Sequence, residues 1–178
     1  MAVTRPLFVC VVLALVLGIQ AKNCPAPFTS VGNKCYYVSL TKENWHAADR
    51  TCRKFGGDLA VFENDQDKTL TTEYLKSLGL PFTDSWRHSV WLGINCLGNR
   101  RNFRLSKTGD IATYMPWVPY EPDNSSPEED CVAFANYNRA FGYIDIECDK
   151  LFPVLCESQA ADDYLWLKKE NSKIIIIA

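Results

Sequence analysis

The sequence predicts an α+β domain: two helices grouped beside antiparallel strands, stapled by disulfides and interrupted by one long irregular loop. Three observations carry this reading. Apolar residues recur at helical spacing in the first half of the chain, while the second half holds short β-rich runs. Between them lies a stretch with almost no periodicity. Eight cysteines accompany an export-type leader, which points to an oxidising compartment and a disulfide framework.

Residues 1–21 have the build of a secretory signal. Arg5 is the basic start, Leu7 to Ile19 are apolar and uncharged, and Ala21 is a small residue at a plausible cleavage point. That run is too short to cross a bilayer, as is the apolar end Ile174 to Ile177. The expected organisation is a domain over 22–157 and a tail over 158–178, in a secreted, extracellular protein with no membrane span. Composition is that of a globular chain, 47% apolar and 22% charged. A net charge of −2 without a run of Lys or Arg excludes the footprint that nucleic acid requires.

The elements follow in order. Cys24 to Val38 carries Phe28, Tyr36 and Tyr37 and reads as an opening strand or hairpin. Thr41 to Phe55 is a helix: Trp45, Ala48, Cys52 and Phe55 share a face, Thr41 is the candidate cap, and Gly56-Gly57 end it. Asp58 to Phe62 is a brief strand. A second helix runs from about Asp65 to Leu78, capped by Asn64, with Leu70, Tyr74 and Leu78 as its expected buried stripe. Ser89 to Ile94 is a strongly apolar strand. Residues 95–130 are irregular, and a loop of that length in a compact domain is usually functional. Cys131 to Asn136, Tyr143 to Cys148 and Phe152 to Glu157 are three closely spaced strands.

The loop concentrates the chemistry. Glu121-Pro122-Asp123 and Glu128-Glu129-Asp130 stand just before Cys131, and Asp145 just before Cys148. Should Cys131 and Cys148 pair, Asp145 comes close to the loop and several carboxylates share one small volume. Such crowding needs a cation or protons to offset repulsion. Hard oxygen ligands outside the cell favour Ca²⁺. The competing reading is a solvated acidic turn, the usual fate of a charge run. Catalytic readings are weaker. His46 and His88 read as ordinary surface or loop residues, and no signature makes Cys96 a thiol nucleophile. A glycosidase pair of Glu121 and Glu129 is conceivable, but clustered acids suit a metal better than a separated acid and base. Neither a phosphate loop nor histidine-based zinc spacing is present.

In order and spacing, these motifs resemble the C-type lectin domain over about Cys24 to Glu157, in its long form with an amino-terminal hairpin. The residues that carry the resemblance are Cys24 and Cys35, Cys52, Val90-Trp91-Leu92-Gly93-Ile94, Trp117, Glu121-Pro122-Asp123, Glu129-Asp130-Cys131, Tyr143-Ile144-Asp145 and Leu155-Cys156-Glu157. The resemblance implies three bridges, Cys24–Cys35, Cys52–Cys156 and Cys131–Cys148. Cys96 is then the odd thiol, either linking two chains as a homodimer or staying buried and free. The resemblance also implies that Glu121, Asp123, Glu129 and Asp145 ligate one Ca²⁺ and contact sugar hydroxyls, with Pro122 in the cis form. Partners would be glycans or glycoproteins.

The departures from the family pattern matter equally. Ile144 stands where the family has an asparagine ligand, which weakens or removes the Ca²⁺ site. Glu-Pro-Asp mixes the mannose-type Glu-Pro-Asn and the galactose-type Gln-Pro-Asp, and two carboxylates only accept hydrogen bonds. Cys96 and Arg100 stand roughly where a secondary Ca²⁺ site would have acids. Asn124-Ser125-Ser126 is a glycosylation acceptor inside the same loop. The expected function is secreted carbohydrate binding through Ca²⁺, without catalysis. The alternative is a module of the same fold that binds protein and has lost calcium and sugar.

Overall fold

A computed structural model describes residues 24–99 and 101–158. The leader at 1–21, Arg100 and the tail beyond Ser158 lie outside the described residues. The strands are β1 (Thr29–Val31), β2 (Lys34–Glu43), β3 (Asp58–Leu59), β4 (Val90–Asn95), β5 (Arg104–Leu105), β6 (Cys131–Tyr137), β7 (Ala140–Ile146) and β8 (Phe152–Ser158). The helices are α1 (Trp45–Lys54) and α2 (Asp65–Ser77), with a 3₁₀ turn at Trp86–His88. Among the described residues the strands form one sheet in the order β1-β2-β8-β4-β6-β7, with β3 on β8 and β5 on β4. The α+β class is as expected. The sheet is mixed, because β4 meets β8 in parallel at Trp91 and Val154.

Two expectations for the helices are corrected. Thr41 does not cap α1, because β2 stays paired with β8 as far as Glu43 opposite Phe152. The helix therefore starts later, where the Asn44 side chain accepts from Ala47 N at 2.9 Å. Its buried residues are Trp45, Ala48 and Cys52, while Phe55 is part exposed. In α2 the Asn64 cap is present, accepting from Asp67 N. Leu70 and Leu78, however, are exposed, and the inward face is Asp67, Thr71, Thr72 and Leu75. The cause is an ion pair. Asp67 takes Lys34 Nζ at 2.8 Å and the Tyr36 hydroxyl at 2.8 Å. A buried carboxylate with both partners in place outweighs the leucine stripe in orienting the helix.

Three disulfides fasten the domain: Cys24–Cys35, Cys52–Cys156 and Cys131–Cys148. The second ties α1 to β8 across a sequence separation of 104, worth about 5 kcal/mol in the chain-entropy account. The core is aromatic and its polar tips are satisfied. Trp45 Nε1 donates to Leu92 O, and Trp91 Nε1 donates to Glu43 O. Glu157 is buried where β8 passes β3, and it accepts from Lys34, Lys107 and Val61 N. Among the described residues no helix is long and apolar enough to cross a membrane.

Gly93 shows how tightly the centre of the sheet is packed. Its N–H donates to Ala60 O, and a Cβ there would lie 2.5 Å from the Leu59 carbonyl oxygen. Gly93→Ala should therefore cost about 1–3 kcal/mol, the usual range for overpacking. Thermal melting checks this, and an unchanged Tm would refute the packing argument.

Candidate functional site

The site is built on the β6–β7 ribbon, whose register sets Val132 opposite Asp145 and Cys131 opposite Ile146. The Cys131–Cys148 bridge closes the same end. The long loop is laid along β7 by backbone pairing: Tyr143 N donates to Pro116 O at 2.8 Å and Val118 N donates to Tyr143 O at 3.0 Å. Gly142 permits this approach, since a Cβ would sit 2.4 Å from Pro116 O. The chain then turns back, with Tyr120 at φ +73° and Glu121 N donating to Val118 O. The Glu121–Pro122 bond is cis.

These contacts bring Glu121 and Asp123 to Asp145. One carboxylate oxygen from each of the three lies within 4.8 Å of the others. Asp145 is buried, and its oxygens accept from Asp123 N at 3.1 Å and Asn124 N at 3.2 Å. Glu121 Oε2 is buried without a hydrogen-bond partner among the described residues. Burial, with the Asp145 and Asp123 carboxyl groups beside it, pushes Glu121 up to about 8.

Glu129 lines the same cleft but is not in the group of three. Its carboxylate accepts from Ser125 Oγ at 2.8 Å and Ser126 N at 3.1 Å. Burial raises its pKa, although these hydrogen bonds pull the other way. The four expected residues thus divide into a cluster and a neighbour. The cleft has a volume of 240 Å³, and its other wall includes Trp86, Tyr137 and Ile144. Asn124 is exposed, with its backbone N–H on Asp145 Oδ2.

A positive charge enters from the far end of the loop. Arg101 Nη1 donates to Asp145 Oδ2 at 2.8 Å, and Nη2 donates to Pro122 O at 2.6 Å. Sequence reasoning did not find this residue. Arg101 and Asp145 are 44 positions apart, and no periodicity or cysteine links them.

The motif, the fold and the loop geometry agree with a family model for the lectin C-type domain, which matches residues 41–158. The chain belongs to the C-type lectin family. It is 33% identical over 127 residues to C-type lectin 37Db of Drosophila melanogaster, covering 71% of this chain and 79% of that one. Among solved structures it superposes on the cow CD23 C-type carbohydrate-recognition domain with a TM-score of 0.64 at 22% identity, covering 79% of this chain and 98% of that one. It also superposes on a herring type II antifreeze protein with a TM-score of 0.62 at 19% identity, covering 76% and 98%. These likenesses establish a C-type lectin-like carbohydrate-recognition fold.

The remaining candidates find structural places in this lectin domain. His46 packs edge-on against Trp45, and His88 pairs with the Thr83 hydroxyl. Cys96 is a free thiol, 3% exposed, with Sγ 3.3 Å from Asp130 Oδ1. A link to a second chain, hence the homodimer, would require this sulfur to surface. The structure has the other alternative, a buried thiol. Arg100, its expected companion in a degraded secondary site, is outside the described residues. Ile144 is 2% exposed and packs in the core beneath the cleft.

The state of Glu121 has a pH signature. Its folded value stands above the ordinary 4.5, so the native state keeps a proton that the unfolded chain releases. Its contribution to stability is complete below about pH 4.5 and declines as pH rises toward about 8. In chelating buffer, the wild-type Tm should fall relative to Glu121→Gln across that interval. Parallel Tm curves for the two proteins would show that Glu121 is not perturbed.

Proposed function

We propose that this lectin domain is a secreted carbohydrate-binding protein in which Glu121, Asp123 and Asp145, with Glu129 beside them, hold a Ca²⁺ ion that engages sugar hydroxyls. The observation that carries the reading is the convergence of three carboxylate oxygens within 4.8 Å on the wall of an open cleft. Ca²⁺ takes oxygen ligands at 2.3–2.6 Å, so oxygens around one ion stand up to about 5 Å apart. Glu121 Oε2, buried with no hydrogen-bond partner among the described residues, is an available ligand atom once Glu121 gives up its proton. Glu129 Oε1 and Oε2 each accept one hydrogen bond from Ser125 and Ser126, which leaves a lone pair on each for the ion. Bound there, Ca²⁺ would supply positions for two neighbouring hydroxyls of a sugar. The carboxylates would accept the hydroxyl protons, and Trp86 and Tyr137 offer apolar surface to a pyranose face. Glycans and glycoproteins are the proposed partners. The leader-like residues 1–21 and three disulfides support an extracellular setting.

A second reading rests on two particular residues. Ile144 offers hydrocarbon where a ligand is expected, and Arg101 already neutralises Asp145. Both suit a module of the same fold that binds protein without calcium. The antifreeze protein on this fold is a reminder that the ligand belongs to the loops.

Calorimetry with Ca²⁺ and a glycan array with and without chelator separate the two readings. The sugar-binding reading predicts Ca²⁺ uptake and glycan binding that the chelator abolishes. Glycan silence in both conditions, or partner capture unaffected by chelator, rejects it. Within the site, Asp145→Ala should abolish Ca²⁺ uptake while Glu128→Ala leaves it within about twofold, since Glu128 is exposed and outside the cluster. Ile144→Asn should tighten Ca²⁺ about tenfold by adding an oxygen ligand. Unchanged affinity would mean that position 144 does not face the ion.

A further inference from the structure

Arg101 sits in a turn after β4, at φ +64°, in a segment where Asn99 N donates to Cys96 O and Asn102 N to Asn99 O. Its guanidinium is divided between two acceptors of the acidic loop, Asp145 Oδ2 and the Pro122 carbonyl. The side chain of Asp145 is fully buried, while that of Arg101 is 42% exposed. Asp145 Oδ2 also accepts from Asn124 N. With two donors on one oxygen, both of its lone-pair positions are taken. The same residue is one of the three carboxylates that converge. A guanidinium at 2.8 Å from this oxygen and a divalent cation on it exclude one another, by volume and by like charge.

We infer that Arg101 is a resident counter-ion of the acidic cleft, one that a divalent cation must displace from Asp145, and that it thereby lowers the Ca²⁺ affinity of this lectin domain. The inference rests on the proposed Ca²⁺ site. Without metal, Arg101 neutralises the buried carboxylate and latches the turn after β4 to the cis-proline loop. When Ca²⁺ arrives, the carboxylate passes to the ion. The half-exposed guanidinium moves into water, where an arginine is well solvated. The affinity is lowered by the contacts that Arg101 gives up.

The test compares wild type, Arg101→Ala, Arg101→Gln and Arg53→Ala by Ca²⁺ calorimetry and by melting in chelator. Arg53 pairs with Asp49 on α1 and controls for net charge. Arg101→Ala should tighten Ca²⁺ at least tenfold and lower the Tm in chelator, so that the Ca²⁺-induced Tm shift grows. Arg101→Gln keeps a donor for Pro122 but no charge; it should show the same gain in affinity with a smaller loss of Tm. Arg53→Ala should change affinity less than twofold. Binding in wild type that is unchanged or weaker in both Arg101 variants overturns the inference and leaves the Ca²⁺ site standing. Absence of Ca²⁺ binding in every variant overturns the site itself, and the inference with it. Binding in the Arg101 variants alone is the strongest form of support.

Discussion

Two backbone hydrogen bonds on Tyr143 hold the acidic loop to the sheet, and the geometry of the cleft depends on them. Tyr143 N reaches Pro116 O, and Tyr143 O receives Val118 N. From that anchor Glu121 is three residues beyond Val118, and Asp145 is two residues along β7. Gly142 makes the approach possible by having no Cβ. The tyrosine ring is held too: its hydroxyl accepts from Phe62 N, and Trp117 packs edge-on against it. The loop is irregular in secondary structure but fixed in position, as a recognition surface requires.

That fixed position creates an electrostatic problem. Three carboxyl groups are brought together, with Asp145 out of contact with water. Arg101 sets a guanidinium against Asp145, and burial beside Asp145 and Asp123 raises the pKa of Glu121. The proposed Ca²⁺ site therefore already holds a positive charge against one of its carboxylates.

Much of this was readable from the sequence where the signal is local or covalent. The cysteine spacings, the Trp91-Leu92-Gly93 run and the Glu121-Pro122-Asp123 motif placed the disulfides, the central strand and the loop by resemblance. The failures share a cause, which is a partner distant in sequence. Thr41 looked like a cap because the pairing of β2 with β8 on either side of it, at Ser39 and Glu43, was invisible. The leucines of α2 looked buried because Lys34 and Tyr36, which draw Asp67 inward, lie on β2. Arg101 could have been suspected only as a basic residue near an acidic loop. Its contact with Asp145 needed the fold.

The claim at the centre is that Glu121, Asp123 and Asp145 act together on one divalent ion. A crystal structure grown in saturating Ca²⁺ tests it most directly. The account predicts an ion with oxygen atoms of all three residues at about 2.3–2.6 Å, and Arg101 withdrawn from Asp145. A fully ordered loop in saturating Ca²⁺, with the guanidinium still on Asp145 and no ion among the carboxylates, would contradict it.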